Sequence, residues 1–149
     1  MSAVSFSTTT GIVGTTTNDS AAAGSVGEFI TSVVTGASPT NINSGDIDDL
    51  TSIALSAGDW DVWGNIGFIP AAGTTTTIVQ GWISSTSATS PDASLRCLQG
   101  YSSSFGYSFT VPGQRFTLSS PTTIYLTGTA TFSVSTMTFY GGIYARRRR

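Results

Sequence analysis

Two segments near the end of the chain alternate apolar and polar residues with a period of two, and this pattern most limits how the chain can fold. Apolar side chains occupy alternate positions in TTIYLTGTATFSV and again in MTFYGGIYA. Successive side chains of a β-strand point to opposite faces of its sheet, so each segment is predicted to be a strand with one buried face. The predicted core residues are Ile124, Leu126, Ala130, Phe132, Val134, Met137, Phe139, Ile143 and Ala145.

The segment AGDWDVWGNIGF has the same period, but both of its faces carry large apolar side chains. The face predicted to be buried carries Trp60, Val62, Ile66 and Phe68. The other face holds Trp63 and Ile69 beside Asp59 and Asp61. A face in contact only with water is not expected to hold an indole, so we expect something else to cover it.

The remaining chain also indicates strands. No stretch has a sustained period of 3.6, so little helix is predicted. The alternation changes phase at Pro112 and Gly113, which predicts a turn or a β-bulge. Many short strands separated by turn residues predict an all-β sandwich or barrel, and we expect a jelly-roll β-sandwich. The predicted strands span residues 26–35, 50–56, 59–69, 76–85, 94–99, 105–111, 114–118, 122–132 and 136–145.

The chain is predicted to form one domain preceded by an arm. Its 149 residues suit a single core. Residues 1–24 are small and polar, so we expect an extended N-terminal arm, and residues 25–149 are predicted to form the sandwich domain. The isolated apolar residues of the arm are candidates for binding a partner, and these are Val4, Phe6, Ile12 and Val13.

The composition favours an assembly. Charged residues make up only 9% of the chain, against about 25% in an ordinary globular domain. The 25 Thr and 23 Ser could indicate a stalk or linker, but 39% hydrophobic residues argue against that, and Thr is favourable in strands. Because a lone soluble domain usually keeps more surface charge, we expect much of this surface to be covered in an assembly.

Charge and hydropathy also limit the partners. A net charge of −2 gives no support to nucleic-acid binding, which requires a basic face. No apolar run reaches the roughly 20 residues of a membrane span. The first residues, MSAVSFSTTTG, lack the charged and then apolar regions of a secretion signal. We therefore expect synthesis in the host cytoplasm and no membrane partner.

The sequence offers few groups for catalysis, so we expect no enzyme, no metal and no cofactor. The chain has no His and a single Cys, which excludes Ser-His-Asp and Cys-His sites, Cys-rich zinc sites and an intrachain disulfide. Cys97 is expected to be a small buried apolar residue. Asp59 and Asp61 are roughly 7 Å apart by strand rise, within the range of an inverting glycosidase pair. A polar start to the strand is the favoured interpretation of these two carboxylates.

Several polar or aromatic clusters leave alternatives open. Asp46, Asp48 and Asp49 are most simply a solvated loop, although weak calcium binding or an arginine of another subunit remain alternatives, since the spacing does not match a twelve-residue calcium loop. For Trp82, burial is favoured over ligand recognition. The terminal arginines form either a solubilising tail or a contact with an acidic patch of a partner or of a neighbouring subunit, and they are Arg146, Arg147, Arg148 and Arg149.

Two segments carry a resemblance to known families. LSAGDWDVWGNIGF resembles the G-x-[YW]-x-V-x-x-x-[IV]-x-F strand of C1q and tumour-necrosis-factor-like jelly rolls, and STMTFYGGIYARRRR is similar to their closing strand. Together with TTTNDSAAAGSVGEFI and TTIYLTGTATF, these segments also resemble small virion proteins of tailed bacteriophages. The resemblance implies a homotrimer. The residues expected at the trimer interface are Trp63, Tyr125, Tyr140 and Tyr144.

The same resemblance implies a structural function in a virus particle. We expect a homotrimer that decorates and stabilises a capsid, with the major capsid protein as partner and the capsid surface of the virion as location. The alternative is the receptor-binding tip of a head or tail fibre, which would recognise a host surface glycan through loops around residues 86–104. The resemblance implies no catalytic residue.

Overall fold

The computed structural model describes residues 20–103 and 106–149, and within them the chain forms a sandwich of two antiparallel β-sheets. The strands are β1 (Phe29–Val34), β2 (Thr40–Ile42), β3 (Ile47–Leu55), β4 (Gly58–Pro70), β5 (Thr75–Ser84), β6 (Arg96–Ser103), β7 (Tyr107–Leu118), β8 (Thr122–Ser133) and β9 (Met137–Arg147). The first sheet has the order β1-β9-β4-β7, with β2 also paired to β9, and the second has the order β3-β8-β5-β6. The predicted all-β sandwich is therefore confirmed.

Helical structure is limited to one short turn among the described residues. This 3₁₀ turn spans Ala93–Leu95, and the Asp92 carboxylate caps it by accepting a hydrogen bond from the Ser94 amide at 2.9 Å. None of the described helical structure is long and apolar enough to cross a lipid bilayer.

The core lies between the two sheets, and the period-two patterns of β4 and β9 define much of it. Every residue predicted to be buried on these two strands is at most 1% exposed. Phe68 stacks with Phe109 on β7 and with Phe139 on β9, with ring centroids 6.2 and 6.0 Å apart. The second sheet contributes Ile124, Leu126 and Ala130 from β8, all fully buried. Period two therefore identified the inward face of the central strands correctly.

Two predicted core residues lie elsewhere. Val134 is 89% exposed, because β8 ends at Ser133 and the chain turns there with a φ of +81° at Val134. Cys97 is only half-buried, because it lies on β6, the edge strand of the second sheet. Both residues follow the period-two pattern of their segment, but the two sheets do not cover their side chains.

The phase change at Pro112 and Gly113 is a β-bulge inside one long strand. Between Val62 and Gly64 on β4, the paired residues on β7 move from Gln114 to Val111, which leaves one extra residue on β7. The predicted strands 105–111 and 114–118 are therefore a single strand. It is described from Tyr107, since residues 104–105 lie outside the described part of the chain.

The chain itself covers part of the outer face of the second sheet. Residues 85–90 cross this face above Trp82, which is fully buried and donates from Nε1 to the Thr89 carbonyl at 2.8 Å. The Asp49 carboxylate holds the segment by accepting the Ser87 hydroxyl at 2.6 Å and the Ala88 amide at 3.0 Å. The predicted burial of Trp82 is thus confirmed.

Candidate functional site

The outer face of the first sheet carries three neighbouring aromatic rings, which we call the aromatic patch: Phe29, Trp63 and Tyr144. Tyr144 on β9 lies directly opposite Trp63 on β4, and Phe29 lies on the neighbouring strand β1. The ring centroids are 6.0 Å apart for Phe29 and Trp63, 6.3 Å for Phe29 and Tyr144, and 6.1 Å for Trp63 and Tyr144. The alternation of three strands therefore places these rings in contact.

Glycines under the tyrosines give this face its shape. A Cβ added at Gly142 would lie 2.7 Å from the Tyr144 hydroxyl and 3.1 Å from Val33 Cγ2. A larger residue at position 142 would therefore displace the Tyr144 side chain from its place along β9. The ring of Tyr140 contacts the backbone of Gly67 on β4 in the same way. The tyrosine rings are thus held close to the sheet.

The aromatic patch is open to solvent in the described part of the chain. Trp63 is 37% exposed and Phe29 40% exposed, and the adjacent Val33 is 52% exposed. Residues 85–90 cover Trp82 on the other sheet, but the described residues leave Trp63 uncovered. Exposed apolar side chains that form a contiguous group, unlike scattered ones, are typical of an interaction surface.

A group of arginines borders the aromatic patch, and we call it the arginine cluster: Arg115, Arg146, Arg148 and Arg149. Two carboxylates lie among them. Asp59 pairs with Arg115 at 2.5 Å and with Arg149 at 3.1 Å, and Asp61 pairs with Arg148 at 3.4 Å. Arg146 is exposed and forms no ion pair with any described residue. Four guanidinium groups against two carboxylates leave a surplus of positive charge at this end of the sheet.

Asp59 is buried although the sequence indicated a polar strand start. It is 3% exposed, because the arginines cover it. The hydrogen bond from Arg115 lowers the pKa of Asp59, and the same bond raises the pKa of Arg115. Since a lowered pKa keeps the Asp59 carboxylate ionised, this group is placed as an ion-pair partner of arginine rather than as a proton donor. Asp61 forms a second ion pair, with Arg148.

Arg147 belongs to the interior of the fold, which corrects its expected place at a partner contact. It is 5% exposed, and its guanidinium lies 4.3 Å from the ring centroid of Trp60. Its Nε donates to Glu28 at 2.9 Å, and its two other nitrogens donate to the Ala57 carbonyl and the Ser56 hydroxyl. The hydrogen bond from Arg147 is the main cause of a lowered pKa at Glu28. This arginine stabilises the junction of β1, β4 and β9.

The last two residues continue the sheet instead of forming a free tail. The Arg148 amide donates to the Asp59 carbonyl at 2.8 Å, and the Asp59 amide donates to the Arg149 carbonyl at 3.1 Å. These two residues are therefore not a frayed tail, whereas the choice between a solubilising role and a partner contact stays open. Their backbones are fixed, and their side chains are half-exposed or more beside the aromatic patch.

The residues expected at a trimer interface do not share one surface. Trp63, Tyr140 and Tyr144 lie on the outer face of the first sheet, but Tyr125 is on β8 in the second sheet, opposite Ser52 and Ser84. Tyr125 therefore lies on a different face of the subunit from the other three residues, and its role at a trimer interface stays a prediction. Residues Val4, Phe6, Ile12 and Val13 lie outside the described residues.

The aspartate loop is built into the fold. Asp49 accepts hydrogen bonds from Ser87, Ala88 and the Thr127 hydroxyl, the last at 2.6 Å. Asp46 accepts from the Asn43 amide at 2.9 Å. Within residues 20–103 and 106–149, no group of three or more His, Cys, Asp or Glu side chains could hold a metal ion.

The sequence analysis did not predict two of these residues, Phe29 of the aromatic patch and Arg115 of the arginine cluster. Phe29 lies in FITSVV, where both faces of the strand carry apolar residues, so period two does not distinguish them. Arg115 follows the bulge, which shifts its face relative to the first half of β7. The apolar residues of β7 have odd numbers before Pro112 and even numbers after it. This change of phase was the sequence signal that odd-numbered Arg115 lies on the outer face.

These features define a β-sandwich with an exposed aromatic and cationic surface. Comparison with known proteins gives little beyond the fold. No family model and no curated protein matches the chain.

Two solved structures are similar in fold. One is a structure of the infectious bursal disease virus Gx strain, with a TM-score of 0.48, 13% identity, and coverage of 80% of this chain and 32% of that one. The other is the crystal structure of the infectious bursal disease virus VP2 subviral particle, with a TM-score of 0.43, 13% identity, and coverage of 83% and 34%. The chain thus spans about a third of the length of each.

Proposed function

We propose that the chain is a structural protein of a virion, a jelly roll that decorates and stabilises the capsid as a homotrimer. The observation that carries the proposal is the aromatic patch bordered by the arginine cluster. Four of the six arginines and three large aromatic side chains meet on one sheet face. Such a surface suits binding to another protein, since aromatic residues and arginine dominate the energy of protein interfaces.

The aromatic patch is the proposed contact between subunits. Burying a fully exposed aromatic side chain removes about 150–250 Å² from water. Because Phe29 and Trp63 are only 40% and 37% exposed in the single chain, association removes a fraction of that area, and the three rings supply the apolar centre of the contact rather than its whole area. Tyr140 lies further along the same face and extends it. Three copies related by a threefold axis would cover this face without any further element of the chain.

The capsid contact is proposed for the arginine cluster together with the arm. Arg146, Arg148 and Arg149 present cationic groups at the rim of the face, where an acidic patch of the capsid would pair with them. Residues 1–24 would add a second contact through the apolar residues of the arm. Linked contacts raise the effective concentration of each one, so three copies of a weak site would hold firmly.

The oligomeric state tests the subunit contact. We expect the wild-type chain to sediment as a trimer and a Trp63→Ser/Tyr144→Ser variant to sediment as a folded monomer at the same concentration. The expected loss is about 2 kcal/mol or more for each ring removed at the centre of the contact. Leu98→Ser is the matched control, because Leu98 is 54% exposed on the second sheet. A wild-type chain that sediments as a monomer contradicts the trimer.

Location on the particle tests the capsid role. In virions assembled from the genome that encodes this chain, we expect a copy number that matches the capsid lattice, and we expect folded trimers lacking residues 1–24 to bind such particles poorly. A copy number restricted to the fibre positions would favour the fibre tip that recognises a host glycan. Trimers without the arm that still saturate the particle would contradict the role of the arm.

A further inference from the structure

A groove of about 420 Å³ opens at the end of the sandwich where β9 begins, far along that strand from the arginine cluster. The chain that joins β2 to β3 forms one wall, and the end of β8 with the turn into β9 forms the other. Its volume lies within the range of about 300–1,000 Å³ typical of small-molecule sites. The groove shares no residue with the aromatic patch.

Hydrogen bonds fix both walls of the groove. The Ser44 hydroxyl donates to the Phe132 carbonyl at 2.7 Å and accepts the Phe132 amide at 2.9 Å, which joins one wall to the other. The Thr136 carbonyl accepts the Thr74 hydroxyl at 3.0 Å and the Ala71 amide at 2.9 Å. The groove is therefore preformed, and a ligand would not have to order the loops.

The lining is uncharged and combines polar groups with an aromatic ring. The amide of Asn41 and the hydroxyl of Ser135 form no side-chain hydrogen bond with any described residue, and each can donate and accept. Phe132 lines the groove, and its half-buried side chain also packs against the edge of the core. A ligand that matches this lining has several hydroxyl groups, an apolar face and no charge.

The rim of the groove contains a backbone conformation that the sequence does not favour. Val134 has a φ of +81° and is 89% exposed. A β-branched residue in the left-handed region costs of the order of 1–3 kcal/mol and is retained where the surrounding structure demands it. Its exposed side chain contributes little to the core and adds an apolar group at the rim of the groove.

From these observations we propose that the groove binds a neutral saccharide of about one or two sugar rings. The apolar face of a sugar packs against Phe132, and its hydroxyl groups bond to Asn41 and Ser135. This binding activity goes beyond the proposed structural role and does not depend on it. It places glycan contact in the groove at the start of β9 rather than in the loops around residues 86–104.

Amide chemical shifts of the full chain test the proposal. We expect N,N′-diacetylchitobiose, cellobiose or maltose to shift the amide signals of residues 41–44 and 132–137 with a dissociation constant in the millimolar range, since an open groove offers few contacts. An Asn41→Ala/Ser135→Ala variant should lose at least about tenfold in affinity, which corresponds to 1.4 kcal/mol.

A Gln99→Ala/Ser119→Ala variant, altered at exposed positions away from the groove, should bind the saccharide as the wild type does. The absence of shifts with all three saccharides, shifts centred outside the groove, or equal binding by the Asn41→Ala/Ser135→Ala variant would each overturn the proposal. Sedimentation of the same variants distinguishes this result from the trimer, because the groove variant should remain trimeric.

Discussion

Two adjacent arginines show how one position along a strand changes the role of a residue. Arg146 points outward beside the aromatic patch, whereas Arg147 points inward onto Trp60 and Glu28. The apolar residues of β9 occupy odd positions, and extending that alternation by one step places residue 147 inside. The sequence therefore contained the signal for Arg147, but a run of four identical residues conceals it.

Removal of Arg147 is expected to destabilise the fold. An Arg147→Ala substitution leaves the Glu28 carboxylate without its cationic partner at a nearly buried position and should lower the free energy of unfolding by about 3 kcal/mol. Arg146→Ala, at the neighbouring exposed position, should change it by less than about 0.5 kcal/mol. Urea denaturation followed by circular dichroism measures both values. Equal effects of the two substitutions would contradict the role assigned to Arg147.

The same ion pairs predict a loss of stability in acid. The pKa values of Glu28 and Asp59 are lowered in the folded chain from ordinary values of 4.5 and 3.8. A lowered pKa in the folded chain means that the unfolded chain binds protons more readily. The contribution of these ion pairs to the free energy of unfolding is therefore fully present above the ordinary pKa values, and it is lost as the pH falls through the pKa values of the folded chain. We expect unfolding free energies to decrease below about pH 4.5 and a Glu28→Gln variant to show a shallower decrease. A wild-type stability that rises on acidification would refute this assignment.

At the scale of elements, period two predicted most strands but not how their outer faces are covered. It gave the inward faces of β4 and β9 because a sandwich buries one side of each strand. It could not place Tyr125, since alternation within a strand does not say to which sheet the strand belongs. Strand β2 was missed because three residues, TNI, are too few to show a period.

Asp49 is expected to hold residues 85–90 over Trp82. Asp49→Ala removes the acceptor of two hydroxyls and one amide, so we expect a loss of about 1–3 kcal/mol in unfolding free energy. Cleavage of this segment by added protease should also become faster. Asp48→Ala is the control, because Asp48 is adjacent and has no such bonds in the described part of the chain. Equal protease sensitivity of the two variants would show that Asp49 does not anchor the segment.

At the scale of the whole molecule, charge is concentrated in one place. Five of the six arginines lie at the end of the first sheet where β9 finishes, and Arg96 is the exception. A low overall content of charge was evident from composition, but its clustering required the register of β4, β7 and β9. The sandwich follows from the number of strands, whereas the open aromatic patch became visible only when three strands were placed side by side.

Because the charge is concentrated in the arginine cluster, we expect salt to weaken the proposed capsid contact but not the proposed contact between subunits. Raising the ionic strength from 0.01 to 0.15 M shortens the screening length from about 30 to about 8 Å. Binding of the arginine cluster to an acidic capsid should weaken over this range, while the trimer held by apolar rings should persist. Particle co-sedimentation and analytical ultracentrifugation measure the two effects. Dissociation of the trimer over the same range would contradict an apolar subunit contact.

The three tryptophans occupy very different surroundings, and this difference supplies an intrinsic optical reporter. Trp60 and Trp82 are sealed from solvent, whereas Trp63 is not. In a single subunit, a neutral collisional quencher such as acrylamide will therefore reduce the emission of Trp63 and leave that of Trp60 and Trp82 unchanged, whereas the proposed trimer should shield all three. Any molecule that settles over the outer face of the first sheet should protect that emission, so occupancy can be followed in unlabelled protein with a fluorimeter.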